Sequence, residues 1–351
     1  MLLEGIFAAV PTPFYSDERL YLRKMEANVA RYSRSLLAGL VVLGSTGEAV
    51  ALSDAETREV LRTAAKAAAP EKALIAGVAR ESARATLELA DAAAEASYDA
   101  VLVRPPTYYS PLISRAAVLN YFRTIADRSP LPVILYNIPK FAPYFMQPDL
   151  VGELAQHPNI IGIKDSTGNV EQVRALVEAT KDAPRRTVPV TTIFEAVTAR
   201  MFVPQFALEP GFVELATLGA GVVTSPMPAP PPIKTRSKEV GFQVLSGSAG
   251  TLLESLQAGA SGGVLAFAAC APQACQEIYL AWKDRDLVLA AEKQQRIDLP
   301  GKRVAGDLGI AGIKYGCDFN GYYGGKPRLP LLSLTSDQKA EVETLLAGIR
   351  N

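Results

Sequence analysis

Residues 133–164 read VILYNIPKFAPYFMQPDLVGELAQHPNIIGIK and contain the clearest strand–helix–strand pattern of the chain. The apolar run Val133–Tyr136 comes first, a helical pattern follows over Gln147–Ala155, and a second apolar run spans Ile160–Lys164. Runs that are apolar throughout, rather than alternating with polar residues, are typical of strands covered on both faces. The segment therefore predicts parallel strands joined by a helix.

The same rhythm continues on both sides of this segment. Six further apolar runs are predicted as strands, at Gly5–Val10, Gly39–Leu43, Ala73–Gly77, Ala100–Val103, Gln243–Gly247 and Gly263–Phe267. Eight strand–helix units are the number in an α/β (β/α)8 TIM barrel, and we predict this fold over residues 1–268. A doubly wound sheet is the alternative, but it usually has a glycine-rich loop after its first strand, where this chain has Pro11-Thr12-Pro13.

One long segment, at about residues 181–241, interrupts the rhythm and is predicted to be an insertion before the seventh strand. Its apolar pieces, Phe202–Leu208 and Phe212–Leu218, predict a helix or a hairpin, and the proline run Pro226–Pro232 predicts an extended polyproline conformation. Four interpretations stay open: a surface excursion, a disordered segment, a gene-model artefact, or a docking motif for a protein partner. After the barrel, residues 269–351 are predicted to form a C-terminal helical region.

Composition and charge exclude several classes of function. The 36 Lys and Arg residues balance the 36 Asp and Glu residues, so no net field favours nucleic acid or an anionic membrane. The only histidine, His157, precedes the sixth strand, which predicts a structural role and argues against metal sites built from imidazoles. Three cysteines without a Cys-x-x-Cys pair suit a reducing cytosol. Because residues 1–5 lack a leader pattern and the uncharged tracts are interrupted, we expect a cytoplasmic protein without membrane spans.

Lys164 is the first candidate for chemistry, because catalytic groups of such barrels lie at the carboxyl ends of the strands. It ends a strand that is predicted to be buried on both faces. Burial without a counter-ion disfavours the ammonium form and leaves a free amine that can attack a carbonyl carbon. A lysine that emerges into solvent, or that pairs with Asp165, is the alternative.

Other strand ends also have polar groups. Tyr136 ends the fifth strand, and a phenol beside an amine can relay protons. The turn Gly44-Ser45-Thr46-Gly47-Glu48 presents hydroxyls and backbone N–H groups that suit a carboxylate, and it lacks the ending of a nucleotide-binding loop. Tyr108 and Tyr109 follow Pro105-Pro106 and are interpreted, from position alone, as aromatic residues at the rim.

Three motifs in this order resemble the pyruvate-dependent class I aldolases of the dihydrodipicolinate synthase and N-acetylneuraminate lyase family. They are the Gly44–Glu48 turn, Tyr136-Asn137-Ile138-Pro139, and the stretch Gly162–Asn169 around Lys164. The resemblance extends from Gly5 to about Leu346 and omits Thr180–Gly241. It implies a (β/α)8 barrel, Schiff-base chemistry that needs no cofactor or metal, and a homodimer or homotetramer.

The resemblance also implies the roles of individual residues. Lys164 would form the Schiff base with a 2-oxo acid, and Tyr136 would relay protons. Tyr108 matches the tyrosine that completes the relay, which in the best-known members comes from a neighbouring subunit. The implied substrate-binding residues are Ser45, Thr46, Ser166 and Gly247.

The substrate is predicted from one difference from the dihydrodipicolinate-forming members of the family and from one similarity to another member. Synthases that make dihydrodipicolinate have an arginine two residues after the proline of the Tyr-Asn-x-Pro motif, whereas this chain has Lys140 and then Phe141. The stretches Phe242–Gly250 and Gly321–Gly325 are more similar to 4-hydroxy-2-oxoglutarate aldolase. We therefore predict cleavage of a 4-hydroxy-2-oxo acid, such as 4-hydroxy-2-oxoglutarate, to pyruvate and an aldehyde such as glyoxylate.

Several other functions remain open at the level of the sequence. The same scaffold supports cleavage or dehydration of a 2-keto-3-deoxy sugar acid, or the synthesis of 4-hydroxy-tetrahydrodipicolinate. A pyridoxal phosphate enzyme would need a phosphate cup and a pyridinium partner, and no motif predicts either. A non-catalytic barrel that binds a partner through the proline-rich insertion is the alternative that is not an enzyme.

Overall fold

The computed structural model describes residues 1–202 and 233–349. Eight parallel strands close into a barrel. In order around the barrel they are β1 (Gly5–Ala9), β10 (Gly262–Leu265), β9 (Gln243–Ser246), β6 (Ile160–Asp165), β5 (Val133–Asn137), β4 (Ala100–Val103), β3 (Ala73–Gly77) and β2 (Gly39–Val42). Each strand is short and apolar, and each of its residues is buried, because a barrel of this kind is covered by helices outside and filled by side chains inside.

Amphipathic helices surround the barrel, and four more follow its last strand. Where helices begin, Ser and Thr side chains often accept hydrogen bonds from the free N–H groups of the first turn. At the start of α2, Ser53 and Glu56 form a capping box, in which each side chain accepts a hydrogen bond from the backbone N–H of the other residue. The helices are α1 (Leu22–Ser33), α2 (Asp54–Ala67), α3 (Ala83–Glu95), α4 (Arg115–Arg128), α5 (Pro148–Leu154), α6 (Val170–Ala179), α7 (Leu252–Gln257), α8 (Pro272–Lys283), α9 (Leu287–Pro300), α10 (Gly309–Phe319) and α11 (Ser336–Leu346). A π-helical segment, Gly301–Asp307, joins α9 to α10.

The predicted TIM barrel is confirmed, and all eight predicted barrel strands are present within two residues of their predicted ends. The pattern is readable because alternate residues of each strand belong to two different apolar clusters. Phe7, Ile75 and Ile134 belong to the cluster inside the barrel, whereas their neighbours Ile6 and Leu74 pack under the surrounding helices. Both positions must therefore be apolar.

The insertion contains a feature that the sequence did not predict, an antiparallel pair of strands outside the barrel. Strand β7 (Arg186–Thr191) pairs with β8 (Thr235–Val240) over their full length. The two apolar pieces predicted as a helix or hairpin lie outside the described residues from residue 203 onward, as does the proline run. Within the described part, Phe202 ends a short 3-10 helix that begins at Ala199.

The described part of the insertion packs on the amino-terminal face of the barrel, opposite the strand ends that face the predicted site. Val188, Val190 and Val240 form an apolar cluster with Leu2, which precedes β1. Farther round the same face, Arg200 lies 3.7 Å from Asp99, which precedes β4. In barrels of this kind that face serves stability rather than catalysis. This part of the insertion therefore contributes to the stability of the barrel.

Val190→Ala tests this interpretation. Val190 is fully buried in the cluster with Leu2, so the loss of two methyl groups removes apolar contact and leaves a small cavity. We expect the free energy of unfolding to fall by about 1–3 kcal/mol, with an unchanged kcat/KM at a temperature where the protein is folded. Denaturant unfolding and steady-state kinetics measure both quantities. A lower kcat/KM without a loss of stability would contradict a role confined to the amino-terminal face.

Across residues 1–202 and 233–349, no helix combines the length and the apolar character that a membrane span requires. The division between the barrel and the C-terminal region at residues 268 and 269, and the bounds of the insertion at about residues 181–241, remain predictions.

Candidate active site

Two neighbouring strands bring the first two predicted residues together. Lys164 on β6 is in register with Tyr136 on β5, and both side chains are directed to the carboxyl end of the barrel interior. Lys164 Nζ donates a hydrogen bond of 3.2 Å to the Tyr136 hydroxyl, and it lies 4.3 Å from the centre of the phenol ring. The side chains are almost completely buried, at 4% and 5% exposure. The amine and the phenol are thus held in contact before any substrate binds.

The adjacent carboxylate does not pair with Lys164. Asp165 accepts hydrogen bonds from the Asn137 amide at 2.6 Å and from the Thr167 hydroxyl. Burial raises the pKa of the Asp165 carboxyl, and these two hydrogen bonds oppose the shift. Among the described residues, no carboxylate lies within 4.0 Å of Lys164 Nζ, so the nitrogen is not part of an ion pair. The alternative in which Lys164 pairs with Asp165 or lies in solvent is therefore wrong.

The predicted carboxylate-binding turn lies directly beside this pair. Ser45–Gly47 forms one turn of 3-10 helix after β2, and Thr12, three residues beyond the end of β1, donates a 2.6 Å hydrogen bond to the Gly47 carbonyl. This bond fixes the turn to the first strand. The Ser45 hydroxyl lies 3.5 Å from the Tyr136 hydroxyl, and Thr46 is buried in the same cavity wall. A chain of polar groups thus extends from Lys164 through Tyr136 to the turn.

Ser166 and Gly247 meet on the opposite wall, where β6 and β9 end. Gly247 N donates a 2.6 Å hydrogen bond to the Asp165 carbonyl. The Ser166 hydroxyl is buried and has no hydrogen-bond partner among the described residues. A Cβ atom at position 247 would lie 2.0 Å from Ser166 Oγ and 2.8 Å from the Asp165 carbonyl oxygen. Position 247 therefore accepts only glycine, because the ends of β6 and β9 lie too close together for a side chain.

Gly247→Ala tests whether this approach matters for the site. The added methyl group must push Ser166 away or separate the two strand ends beside Lys164, and we expect kcat/KM to fall by about 10- to 100-fold. Gly250→Ala is the matched control, because a Cβ there meets nothing within 4 Å. Kinetics of both variants measure the difference. Equal activities would show that the contact between Ser166 and Gly247 is not required.

The predicted site residues other than Tyr108 line one cavity of about 510 Å³ at the carboxyl face of the barrel: Ser45, Thr46, Tyr136, Lys164, Ser166 and Gly247. The far wall comes from the C-terminal region, including the π-helical segment Gly301–Asp307 and the start of α10. Two cations, Lys140 and Lys302, stand on the wall, and Lys140 Nζ donates a 2.9 Å hydrogen bond to the Gly306 carbonyl. Phe141 lines the cavity at the position where an arginine would mark a dihydrodipicolinate-forming enzyme.

Tyr108 is the one predicted catalytic residue that a single chain does not bring to the site. Its side chain is 78% exposed and packs edge-on against the Tyr109 ring at a centroid distance of 5.0 Å. The backbone of its loop is held by Glu81, which accepts a 2.9 Å hydrogen bond from Tyr108 N. The phenol is therefore presented outward from an anchored loop.

Sequence reasoning missed two parts of the site. The π-helical wall follows Pro300, where periodicity predicts only the end of a helix. The sequence indicates Glu48 only as the last residue of the turn, yet its carboxylate forms a buried ion pair with Lys314 at 2.5 Å. No local pattern links two residues 266 positions apart. His157, by contrast, lies where predicted, and its ring contacts Asp127 and the backbone N–H of Asn159 on the amino-terminal side.

Comparison with known proteins agrees with this geometry. The model of the dihydrodipicolinate synthetase family matches residues 2–184 and 232–349. The chain belongs to this family. Most of the predicted insertion lies between the two matched parts. Among the described residues, no cluster of three His, Cys, Asp or Glu side chains is placed to hold a metal ion.

Relatives within the dihydrodipicolinate synthetase family have several different names. The chain is 34% identical over 183 residues to a 4-hydroxy-tetrahydrodipicolinate synthase of Methanoculleus marisnigri. This match covers 52% of this chain and 62% of that protein. It is 38% identical over 182 residues to a probable mitochondrial 4-hydroxy-2-oxoglutarate aldolase of Emericella nidulans. This match covers 50% of this chain and 59% of that protein. These two matches therefore span only about three fifths of the relatives' lengths.

Two longer matches cover nearly the whole chain. The L-threo-3-deoxy-hexylosonate aldolase of Hypocrea jecorina is 30% identical over 357 residues, which cover 99% of this chain and 95% of that protein. The crystal structure of YagE, a prophage protein of this family from E. coli K12 in complex with pyruvate, superposes with a TM-score of 0.78 at 26% identity and 99% coverage of both chains. These two matches thus extend along nearly the whole chain, including the helices that follow the barrel.

Proposed function

We propose that the protein is a class I aldolase, a carbon–carbon lyase that forms a Schiff base between Lys164 and a 2-oxo acid. The observation that carries the proposal is the buried Lys164 amine, 3.2 Å from the Tyr136 hydroxyl and not paired with a carboxylate. A nucleophilic lysine must be uncharged and accessible from a cavity, and Lys164 lines the cavity that the turn at Ser45 closes. The names of the relatives, synthase and aldolase, support the same chemistry.

The first half of the reaction forms the Schiff base. The Lys164 lone pair attacks the C2 carbonyl carbon of the 2-oxo acid and gives a carbinolamine. Loss of its hydroxyl group as water gives a protonated imine, and Tyr136 supplies the proton that this leaving group needs. The Ser45–Gly47 turn, with its hydroxyls and N–H groups, binds the C1 carboxylate next to the reacting carbon.

The second half breaks the carbon–carbon bond. A base removes the proton from the C4 hydroxyl, the C4 oxygen forms a carbonyl, and the C3–C4 electron pair flows into the imine to give an enamine. The aldehyde leaves, C3 takes up a proton, and water then adds at C2 and releases pyruvate and the free amine. Tyr136 lies close enough to Lys164 to exchange these protons. The iminium serves as the electron sink, so the route needs no metal ion.

Tyr108 is proposed to complete the proton relay from a second copy of the chain. Two other apolar side chains, Val50 and Leu112, are likewise exposed, at 83% and 81%. Leu112 belongs to the same loop as Tyr108, and Val50 lines a cavity together with Thr107. Burial of exposed apolar side chains favours self-association. A homodimer or homotetramer is therefore part of the proposal, as is a cytoplasmic location.

The proposed substrate is a 4-hydroxy-2-oxo acid whose aldehyde half is anionic, such as 4-hydroxy-2-oxoglutarate. The wall beyond Lys164 carries the cations Lys140 and Lys302, which suit a second carboxylate. Phe141 in place of an arginine argues against dihydrodipicolinate formation. Among the relatives, the probable 4-hydroxy-2-oxoglutarate aldolase supports this substrate, whereas the deoxy-hexylosonate aldolase favours a sugar-derived acid.

A substrate panel scored by pyruvate release separates these possibilities. We expect the highest kcat/KM for 4-hydroxy-2-oxoglutarate, with lower values for 2-keto-3-deoxy sugar acids, and no condensation of pyruvate with aspartate semialdehyde. Lys302→Gln should reduce activity with the dicarboxylate more than activity with the neutral-tailed acids. A higher kcat/KM for a 2-keto-3-deoxy sugar acid would contradict the proposed substrate and would support a sugar-acid aldolase instead. Absence of turnover with every member would favour the non-catalytic binding protein.

A further inference from the structure

A buried ion pair connects the C-terminal helical region to the turn beside the active site. Lys314 on α10 donates to the Glu48 carboxylate across 2.5 Å, and the two side chains are 0% and 1% exposed. Burial lowers the pKa of the Lys314 ammonium, and the charge of Glu48 opposes that shift. Two charges taken out of water are tolerated only when they are paired and their remaining hydrogen-bonding capacity is satisfied.

That capacity is satisfied here. Lys314 Nζ also donates a 2.9 Å hydrogen bond to the Lys326 carbonyl, and it lies 4.3 Å from the centre of the Phe14 ring. The second Glu48 oxygen accepts a 2.8 Å hydrogen bond from Arg328 N. Glu48 is therefore held by α10 and by the chain that follows it.

The Arg328 side chain extends this attachment. Its guanidinium binds the Glu56 carboxylate and lowers the pKa of that group to about 2. It also donates a 2.8 Å hydrogen bond to the Ala51 carbonyl, three residues beyond Glu48. Glu48, Ala51 and Glu56 are thus all bonded to Lys314 or Arg328, which lie outside the barrel.

The backbone at Glu48 needs such support. Its φ of 54° lies in the left-handed region, which is uncommon for a residue other than glycine. Conformations of this kind persist where the surroundings over-determine them. Glu48 ends the turn Ser45–Gly47, and the position of Ser45 against Tyr136 depends on how this turn ends.

The geometry assigns Glu48 and Lys314 the role of a positioning pair that holds the Ser45–Gly47 turn against Tyr136 and so sets the affinity for the 2-oxo acid carboxylate. This inference rests on the proposed function. Neither charged group lines the cavity that contains Lys164. Glu48 borders an adjoining cavity together with Ser45 and Tyr136, but its carboxylate is 1% exposed and is engaged by Lys314 Nζ and Arg328 N. We therefore assign the pair a positioning role and not a catalytic one. The pair acts through the turn, and its loss should weaken substrate binding much more than it slows the chemical step.

Glu48→Gln tests the pair, because it keeps the shape and one acceptor oxygen but removes the charge. Asp99→Asn is the matched control: Asp99 is also largely buried, pairs with Arg200 and accepts a hydrogen bond from Leu74 N, but lies on the amino-terminal face. Each variant is titrated with pyruvate under borohydride reduction, and the adduct on Lys164 is quantified. The midpoint of this titration reports affinity independently of the amount of folded protein.

We expect the pyruvate midpoint and the KM to rise by about 10-fold or more in Glu48→Gln, with kcat changed by less than about 3-fold. Asp99→Asn should lower the thermal midpoint without moving either quantity. If Glu48→Gln yields too little folded protein, Lys314→Arg, which keeps the charge, should give a smaller shift in the same direction. Midpoints in Glu48→Gln and Lys314→Arg equal to that of the wild type would overturn the positioning role. A wild-type protein that forms no adduct at any pyruvate concentration would overturn the proposed function itself.

Discussion

Lys164→Arg should lower kcat by at least about 10³-fold and abolish covalent attachment of pyruvate. A guanidinium stays protonated and cannot form the imine, although it keeps the positive charge and much of the length of the side chain. The Lys164 side chain lines a cavity, and among the described residues its nitrogen forms a hydrogen bond only to Tyr136. The barrel should therefore tolerate the change. Pyruvate release and adduct formation are measured together, because both depend on the same nitrogen.

Lys140→Arg is the control for this substitution. Lys140 stands on the wall of the same cavity, but its nitrogen bonds the Gly306 carbonyl rather than a phenol. We expect this variant to form the adduct at a rate within a few-fold of the wild type. If Lys164→Arg kept substantial activity, or if Lys140→Arg lost the adduct instead, the nucleophile would have been assigned to the wrong residue.

Tyr136→Phe should have the second-largest effect, a loss of roughly 10²- to 10⁴-fold in kcat. The substitution removes the oxygen that lies 3.2 Å from Lys164 Nζ and 3.5 Å from Ser45 Oγ, and it leaves the ring in place. Proton transfer to the departing hydroxyl and to the enamine carbon would then depend on water. Because Lys164 remains, the adduct with pyruvate should still form, though more slowly.

Tyr121→Phe provides a matched comparison. The Tyr121 hydroxyl is likewise hydrogen-bonded, to the Arg80 carbonyl and the Thr86 hydroxyl, each at 3.1 Å, but it lies away from the cavity. We expect a small loss of stability and little change in kcat. Similar kinetic defects in the two phenylalanine variants would mean that Tyr136 supports packing rather than proton transfer.

The barrel could be predicted from sequence because its signal is local and repeated. A strand covered on both faces must be apolar at every position, so runs such as Ala73–Gly77 stand out from the amphipathic helices between them. The hairpin of the insertion gave no such signal. Strand β7 alternates buried valines with exposed residues and contains Pro189, and β8 is polar, TRSKEV, because only Val240 is buried.

The candidate site was predictable only as far as it lies at strand ends. Lys164 and Tyr136 follow apolar runs, so their neighbouring strands bring them into contact. The partners of Glu48 lie at the other end of the chain and are brought in by α10 and the segment that follows it, which no spacing within the turn can indicate. Tyr108 cannot be placed against the relay within one chain, so its role remains a prediction about the assembly.

The most direct test of Schiff-base catalysis is borohydride reduction of the wild-type protein in the presence of pyruvate, followed by mass mapping of its peptides. The expected result is one added three-carbon unit per chain, located on the peptide that contains Lys164. It should appear only when pyruvate and reductant are both present. No adduct, or an adduct on another lysine such as Lys140 or Lys302, would contradict the assignment of Lys164 as the nucleophile.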